Sequence, residues 1–227
     1  MPIERSFNYL TGVAAREPRS GDAPARKARR RRRTGPHPTS AATRVDILKS
    51  AAAAFRRQGY HGATVEQIAT ALRMKKGNLY YYFRNKEEIL FACHHYSLER
   101  LLAILDEVER SQLPPAAKMR ELIVRCVHTI LDELHGTALF LDLEALSPAH
   151  LKAIIIERDR FDNGVRRLLR DGIDRGAFAC PDAKLVSFAL LGAVNWIPRW
   201  YSPDGPASSE QVALCFAEYL IAGLRPI

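Results

Sequence analysis

The chain has 227 residues, 47% of them apolar and 26% charged, enough for one large domain or two small ones whose core needs no disulfide or metal staple. Its 13 glycines and 13 prolines exclude a collagenous or low-complexity protein, and the longest apolar run, Phe188 to Val194, falls far short of the roughly 18 residues of a membrane span. The net charge of +9 is unevenly spread: residues 1–40 carry +7, residues 41–90 carry +5 and residues 91–227 carry −3, the footprint of a nucleic-acid reader with a second task behind it. No basic start runs into an apolar segment, so no secretory signal is expected. Cys93, Cys126, Cys180 and Cys215 are scattered and form no CxxC pair, which predicts reduced thiols in a cytoplasmic protein rather than a zinc or redox motif.

Residues 1–40 show no hydrophobic period. The run Arg29 to Arg33 followed by Gly35, Pro36 and Pro38 predicts a disordered basic arm. Such an arm is an electrostatic tether, a minor-groove probe, or a stretch that precedes the true start. From Ala41 onward the period is helical. A helix over 41–58 carries Ile47, Ala51, Ala54 and Phe55 on one stripe, and Gly59 ends it as a left-handed cap. Thr64 and Gln67 form a capping box that opens a short helix ending near Leu72. A third short helix covers 75–82, and Asn85 with Glu88 opens a long one reaching about Arg110. Beyond Pro114-Pro115 the pattern predicts helices over 115–134, 137–146, 147–175, 182–201 and 208–223. The fold class expected is all-α, with about nine helices: a helix-turn-helix unit at 41–86 and a larger helical domain at 87–227.

Two short helices behind a supporting first one make a helix-turn-helix unit. In the third helix Leu79 and Phe83 are spaced to face the core, leaving Lys76, Asn78, Tyr81 and Tyr82 outside. Exposed aromatics among cations suit a groove lined by phosphates and thymine methyls. The stretch Arg44 to Leu90 resembles the TetR family of bacterial repressors, carried by Ile47-Leu48, Ala51, Phe55, Gly59, Thr64-Val65, Ile68-Ala69, Lys76-Gly77, Leu79-Tyr80, Tyr82-Phe83 and Asn85-Lys86-Glu87-Glu88. Two positions depart from the family pattern: Arg73 stands where glycine is usual in the turn, and Lys75 where serine or threonine caps the third helix. The resemblance implies that Thr64, Tyr82 and Lys86 hold phosphates and that Lys76, Gly77, Asn78 and Tyr81 approach bases. Lys75, misplaced beside a helix N-terminus unless a phosphate sits there, joins them as a DNA contact.

The two C-terminal helices are apolar nearly all round, which predicts a twofold dimer through a four-helix bundle. Trp196 and Trp200, four residues apart beside Asn195 and Arg199, are core filler, a pocket wall or a dimer rim. The pieces Leu143 to Pro148, Gly172-Ile173 with Gly176-Ala177-Phe178, and Asn195-Trp196 with Arg199-Trp200-Tyr201 resemble regulators of lipid or steroid catabolism. That branch implies an acyl-CoA thioester as effector, which needs an apolar tunnel and a cationic mouth. Ile123, Val127, Ile130, Leu131, Leu139, Phe140, Ile154, Phe161, Phe188 and Trp196 are the tunnel candidates, and His128 and Trp200 join Val127, Leu131, Phe161, Phe188 and Trp196 as expected ligand-binding residues. Arg158 and Arg199 are the mouth, Arg125 and Arg166 being further choices. Each arginine is equally a solvated surface charge. His128, Asp132 and His135 share a helix face but are read as a polar pocket rather than a metal site. No catalytic motif is written, so neither an enzyme nor a cofactor is expected. The expectation is a ligand-responsive homodimeric repressor that binds a double-stranded operator and no membrane. The alternatives are an activator or metal sensor on the same fold, or a helical scaffold holding nucleic acid nonspecifically.

Overall fold

The computed structural model describes residues 41–133 and 142–226. Among the described residues there are eight α-helices, one π-helical turn and one 3-10 turn, and no strand. The expected arm at 1–40 lies outside them, as does most of the helix predicted over 137–146. The described remainder of that segment is the single 3-10 turn Leu143–Ala145.

Three helices make the first layer. α1 (Ala41–Gly62) turns at Gly59, whose φ of 69° and ψ of 167° only glycine adopts without strain, and then adds one further turn. α2 (Val65–Ala71) starts as expected: Thr64 Oγ1 accepts from Gln67 N at 3.2 Å while Gln67 Oε1 accepts from Thr64 N at 2.9 Å. α3 (Lys76–Tyr82) follows a four-residue turn. Ile47, Phe55, Ile68, Leu79 and Phe83 meet at the centre with 1% or less of their surface exposed. Burial of that order contributes about 1.5–3 kcal/mol for each large side chain.

α4 (Lys86–Arg110) is the spine. Its 25 residues span about 37 Å at 1.5 Å each. Asn85 Oδ1 accepts from Glu88 N, but the Glu88 carboxylate reaches back to Arg84 N rather than to Asn85, so the expected box closes one residue early. The first turns of α4 place Ile89, Leu90 and Leu98 in the core of the first layer, while Leu101, Leu105 and Val108 enter a second, separate core.

That second core is built by α5 (Pro115–His128), α6 (Pro148–Asp174), α7 (Ala183–Trp200) and α8 (Ser209–Ala222) around the far half of α4. The helix expected over 115–134 leaves the α-helical pattern at Thr129 and continues as the π-turn Thr129–Glu133. Ser147 caps α6 ahead of Pro148, Asp182 caps α7, and Ser208 with Gln211 forms a capping box for α8. α7 runs two residues past Pro198 before it ends. α6 lies along α4 and is tied to it by Arg160 to Asp106 and Arg167 to Glu109. Near the first layer α6 adds Ile154, fully buried, to the core that α1 to α3 form.

Candidate nucleic-acid interface and effector cavity

The turn between α2 and α3 is set by backbone bonds. Met74 N donates to Ala69 O at 2.8 Å and Arg73 N to Thr70 O at 2.9 Å. This geometry puts Arg73 at φ 53°, the left-handed region that explains why glycine is usual there. Lys75 is the residue before α3, and its side chain makes no cap bond. Asn78 N instead donates to Lys75 O at 2.8 Å.

Thr64, Lys75, Lys76, Gly77, Asn78 and Tyr81 are all exposed, Tyr81 by 63%. Tyr82 is half-buried and meets Tyr81 edge-on, with ring centroids 5.4 Å apart. Gly77 is exposed too, and a Cβ there would meet nothing within 4 Å. The fold has no steric need for glycine at this position, and glycine inside a helix costs about 1 kcal/mol. Lys86 is placed differently from the other seven. Its Nζ donates to Tyr60 O at 2.7 Å and Ala63 O at 2.9 Å and lies 4.4 Å from the centroid of the Tyr60 ring. It locks the end of α1 to the start of α4. Lys76 pairs with Glu66 of α2. Residues 41–90 carry eight further cations against three other carboxylates, so this layer as a whole is basic once Lys76 and Glu66 cancel.

Beside α4 the second core holds a partly open cavity of about 30 Å³. Its walls come from four helices: Leu101 of α4, Met119, Ile123 and Cys126 of α5, Phe161 and Val165 of α6, and Leu190, Val194 and Asn195 of α7, with Ile130 of the π-turn. Asn195 supplies the one amide of this lining. Burial pushes the Cys126 thiol up to about 12, so it stays neutral.

Of the candidate effector residues, Ile123, Ile130 and Phe161 reach the cavity, Ile154 is buried in the core of the first layer, and Leu139 and Phe140 lie outside the described residues. Val127 and Leu131 are buried in the second core but do not line the cavity. Phe188 is half-buried, with the Arg166 guanidinium 5.2 Å from its ring centroid. Trp196, Arg199 and Trp200 lie on the outer face of α7, the tryptophans 63% and 49% exposed. They sit there because Val194 and Ile197 take the inward positions of the same turns. His128 pairs with Asp132, which also accepts from Ser209 Oγ. Arg158 is half-buried on α6, one turn before Phe161, and burial pulls its guanidinium down to about 10, still charged at neutral pH. Arg166 is occupied by buried Asp162 and by Ser187, and Arg125 by Glu107 at 2.5 Å. Among the lining residues that the sequence pattern did not single out, Met119 and Cys126 fall on one stripe with Ile123 and Ile130, spaced i, i+4, i+7 and i+11. That stripe was a usable signal.

Comparison with known proteins places these parts. Residues 47–93 match the sequence profile of bacterial regulatory proteins of the tetR family, and residues 112–224 match that of a tetracyclin repressor-like C-terminal domain. The chain is 27% identical over 188 residues to the HTH-type transcriptional repressor KstR2 of Mycobacterium tuberculosis, covering 80% of this chain and 92% of that one. It is 32% identical over 197 residues to the HTH-type transcriptional regulator RutR of Escherichia coli, covering 79% and 89%. Among solved structures, AibR in complex with isovaleryl coenzyme A and operator DNA superposes with a TM-score of 0.68 at 25% identity, covering 81% of this chain and 98% of that one.

Proposed function

The chain belongs to the TetR family of bacterial regulatory proteins, and from that premise we propose a homodimeric repressor whose grip on its operator is released by an acyl-CoA thioester. Residues 41–86 read DNA, with the arm at 1–40 ahead of them, and residues 87–227 bind the effector and the second copy. α3 is the recognition helix. Asn78 and Tyr81 reach base edges, Lys75 and Thr64 meet phosphates, and Gly77 lets the duplex approach the backbone.

One observation carries the reading: α4 is common to both cores. Its first turns are built into the layer that holds α3, and three turns on Leu101 walls the cavity. A cavity of about 30 Å³ is roughly a tenth of the smallest ordinary ligand site. An acyl group therefore enters only by parting α4, α5, α6 and α7. An effector that needs parted helices binds that state better than the closed one, and this differential affinity is what shifts the population. In a dimer the shift changes the spacing of two α3 helices, about 34–36 Å when they meet successive major-groove turns. The structure of AibR with isovaleryl coenzyme A and operator DNA supports the choice of effector class.

The test is selection of sequences by the full chain from random duplex DNA, followed by titration of the bound operator with acyl-CoA thioesters, isovaleryl-CoA among them. The expected result is two half-sites about one helical turn apart and an operator affinity lowered roughly 5- to 150-fold by thioester. No enriched sequence overturns the repressor. Enrichment without any thioester response overturns the effector class alone.

A further inference from the structure

Glu66 is the one carboxylate between Asp46 and Glu87, a stretch that carries eight lysines and arginines. It stands in the first turn of α2, two residues after Thr64, which the repressor reading assigns to a phosphate. A negative charge there opposes every phosphate. The helix N-terminus favours a carboxylate, which accounts for its tolerance in the free protein but not for its geometry. The Glu66 carboxylate reaches across the turn and accepts the Lys76 ammonium. Lys76 Nζ also lies 5.8 Å from the centroid of the Tyr80 ring, one turn further along α3. Each partner reinforces the other's charge: the hydrogen bond from Lys76 holds the Glu66 carboxyl below its ordinary range, and that bond holds the Lys76 ammonium above its own.

Both side chains are about half exposed, 46% for Lys76 and 57% for Glu66. In water such a pair contributes little to stability. Against DNA its meaning changes. A free lysine is a mobile point charge that satisfies whichever phosphate is nearest, whatever the sequence. Lys76 held between Glu66 and Tyr80 has its charge balanced and its position fixed, and an ammonium has three donors, of which Glu66 takes one. The remaining N–H groups suit a pair of acceptors on a base edge, as guanine N7 and O6 present in the major groove.

We propose that Glu66 is a specificity-determining residue: it withholds Lys76 from the phosphates and presents it to a base edge. The proposal rests on the repressor reading above. It names a role for an acidic residue on a basic face, where affinity alone would be better served by its absence.

The experiment compares wild type, Glu66→Gln, Lys76→Met and the double variant, each as the full chain, on the selected operator and on random duplex DNA across a salt series. In Glu66→Gln, Lys76 is freed for phosphates, so affinity for random DNA rises and its log–log salt slope steepens by about 0.9, one added phosphate contact. The ratio of operator to random affinity falls roughly tenfold, the scale of one lost base contact. In the Lys76→Met background the Glu66→Gln change leaves that ratio where it is. Thermal unfolding of all four proteins separates this from a helix-capping role, which lowers the midpoint but moves neither slope nor ratio. An unchanged ratio in Glu66→Gln, or an equal drop with and without Lys76, overturns the proposal. A chain that enriches no sequence overturns the repressor reading and this proposal with it.

Discussion

Arg73 shows how one residue records a compromise. Its φ of 53° is where glycine is usual in the family, and an L-residue there is strained by about 1 kcal/mol. Arg73→Gly is expected to raise stability by about 0.5–1 kcal/mol in urea unfolding while weakening operator and random DNA alike, because a cation is lost from the basic face. A fall in stability would place the strain elsewhere. The oddity was legible in the sequence, since an arginine in a glycine position announces itself. The uncapped Lys75 was legible in the same way. Lys86 was not. Its spacing and charge suit a phosphate contact, yet its ammonium is bound to Tyr60 O and Ala63 O, carbonyls 26 and 23 residues away that no local pattern reveals. The same holds for Glu66, whose partner lies across a turn.

Elements were read more securely than their junctions. Capping residues and apolar stripes are local chemistry, so the starts at Thr64, Asn85, Ser147 and Asp182 follow from the sequence, and that of α8 to within one residue, Ser208 or Ser209. The π-turn at Thr129–Glu133 has no such signature, since one inserted residue leaves the apolar period nearly intact. The joint between α4 and α6 is equally silent in sequence. There Glu87, in the first turn of α4, accepts Ser147 N at 2.9 Å and His150 Nδ1 at 2.8 Å, and His150 stacks on Phe91 with centroids 3.9 Å apart. Desolvation pushes the Glu87 carboxyl up, but the Ser147 N–H and the His150 ring outweigh it, and the net displacement is below the ordinary 4.5. A depressed carboxyl contributes its stability in full above that value and loses it as pH falls through the folded one. Glu87→Gln is therefore expected to lower stability by about 1–2 kcal/mol at pH 7. It should also flatten the decline in unfolding free energy below pH 4.5 relative to wild type. Parallel acid limbs in the two proteins would remove Glu87 from the account.

At the scale of the whole molecule, what a single copy leaves uncovered decides its assembly. Leu185, Ala189, Trp196 and Trp200 are exposed along one face of α7 at spacings of 4, 7 and 4, and Tyr219 of α8 is 81% exposed. A continuous apolar strip of this kind marks a protein contact. The apolar character of both terminal helices was plain in the sequence. Which of their faces turned outward was not, because the inward choice of Val194 and Ile197 depends on helices far along the chain. Trp196→Glu is expected to turn the dimer into a monomer in light scattering and to cost most of the operator affinity, since two half-sites then bind singly. A variant still dimeric would move the contact elsewhere. The same face makes the protein its own reporter. Its two tryptophans are the only indoles it has, and both look out of the monomer rather than into the cavity. Ultraviolet emission from this chain thus follows the meeting of two copies: it shifts to the blue as concentration rises through the dimer dissociation constant, and it stays red in Leu185→Glu at every concentration.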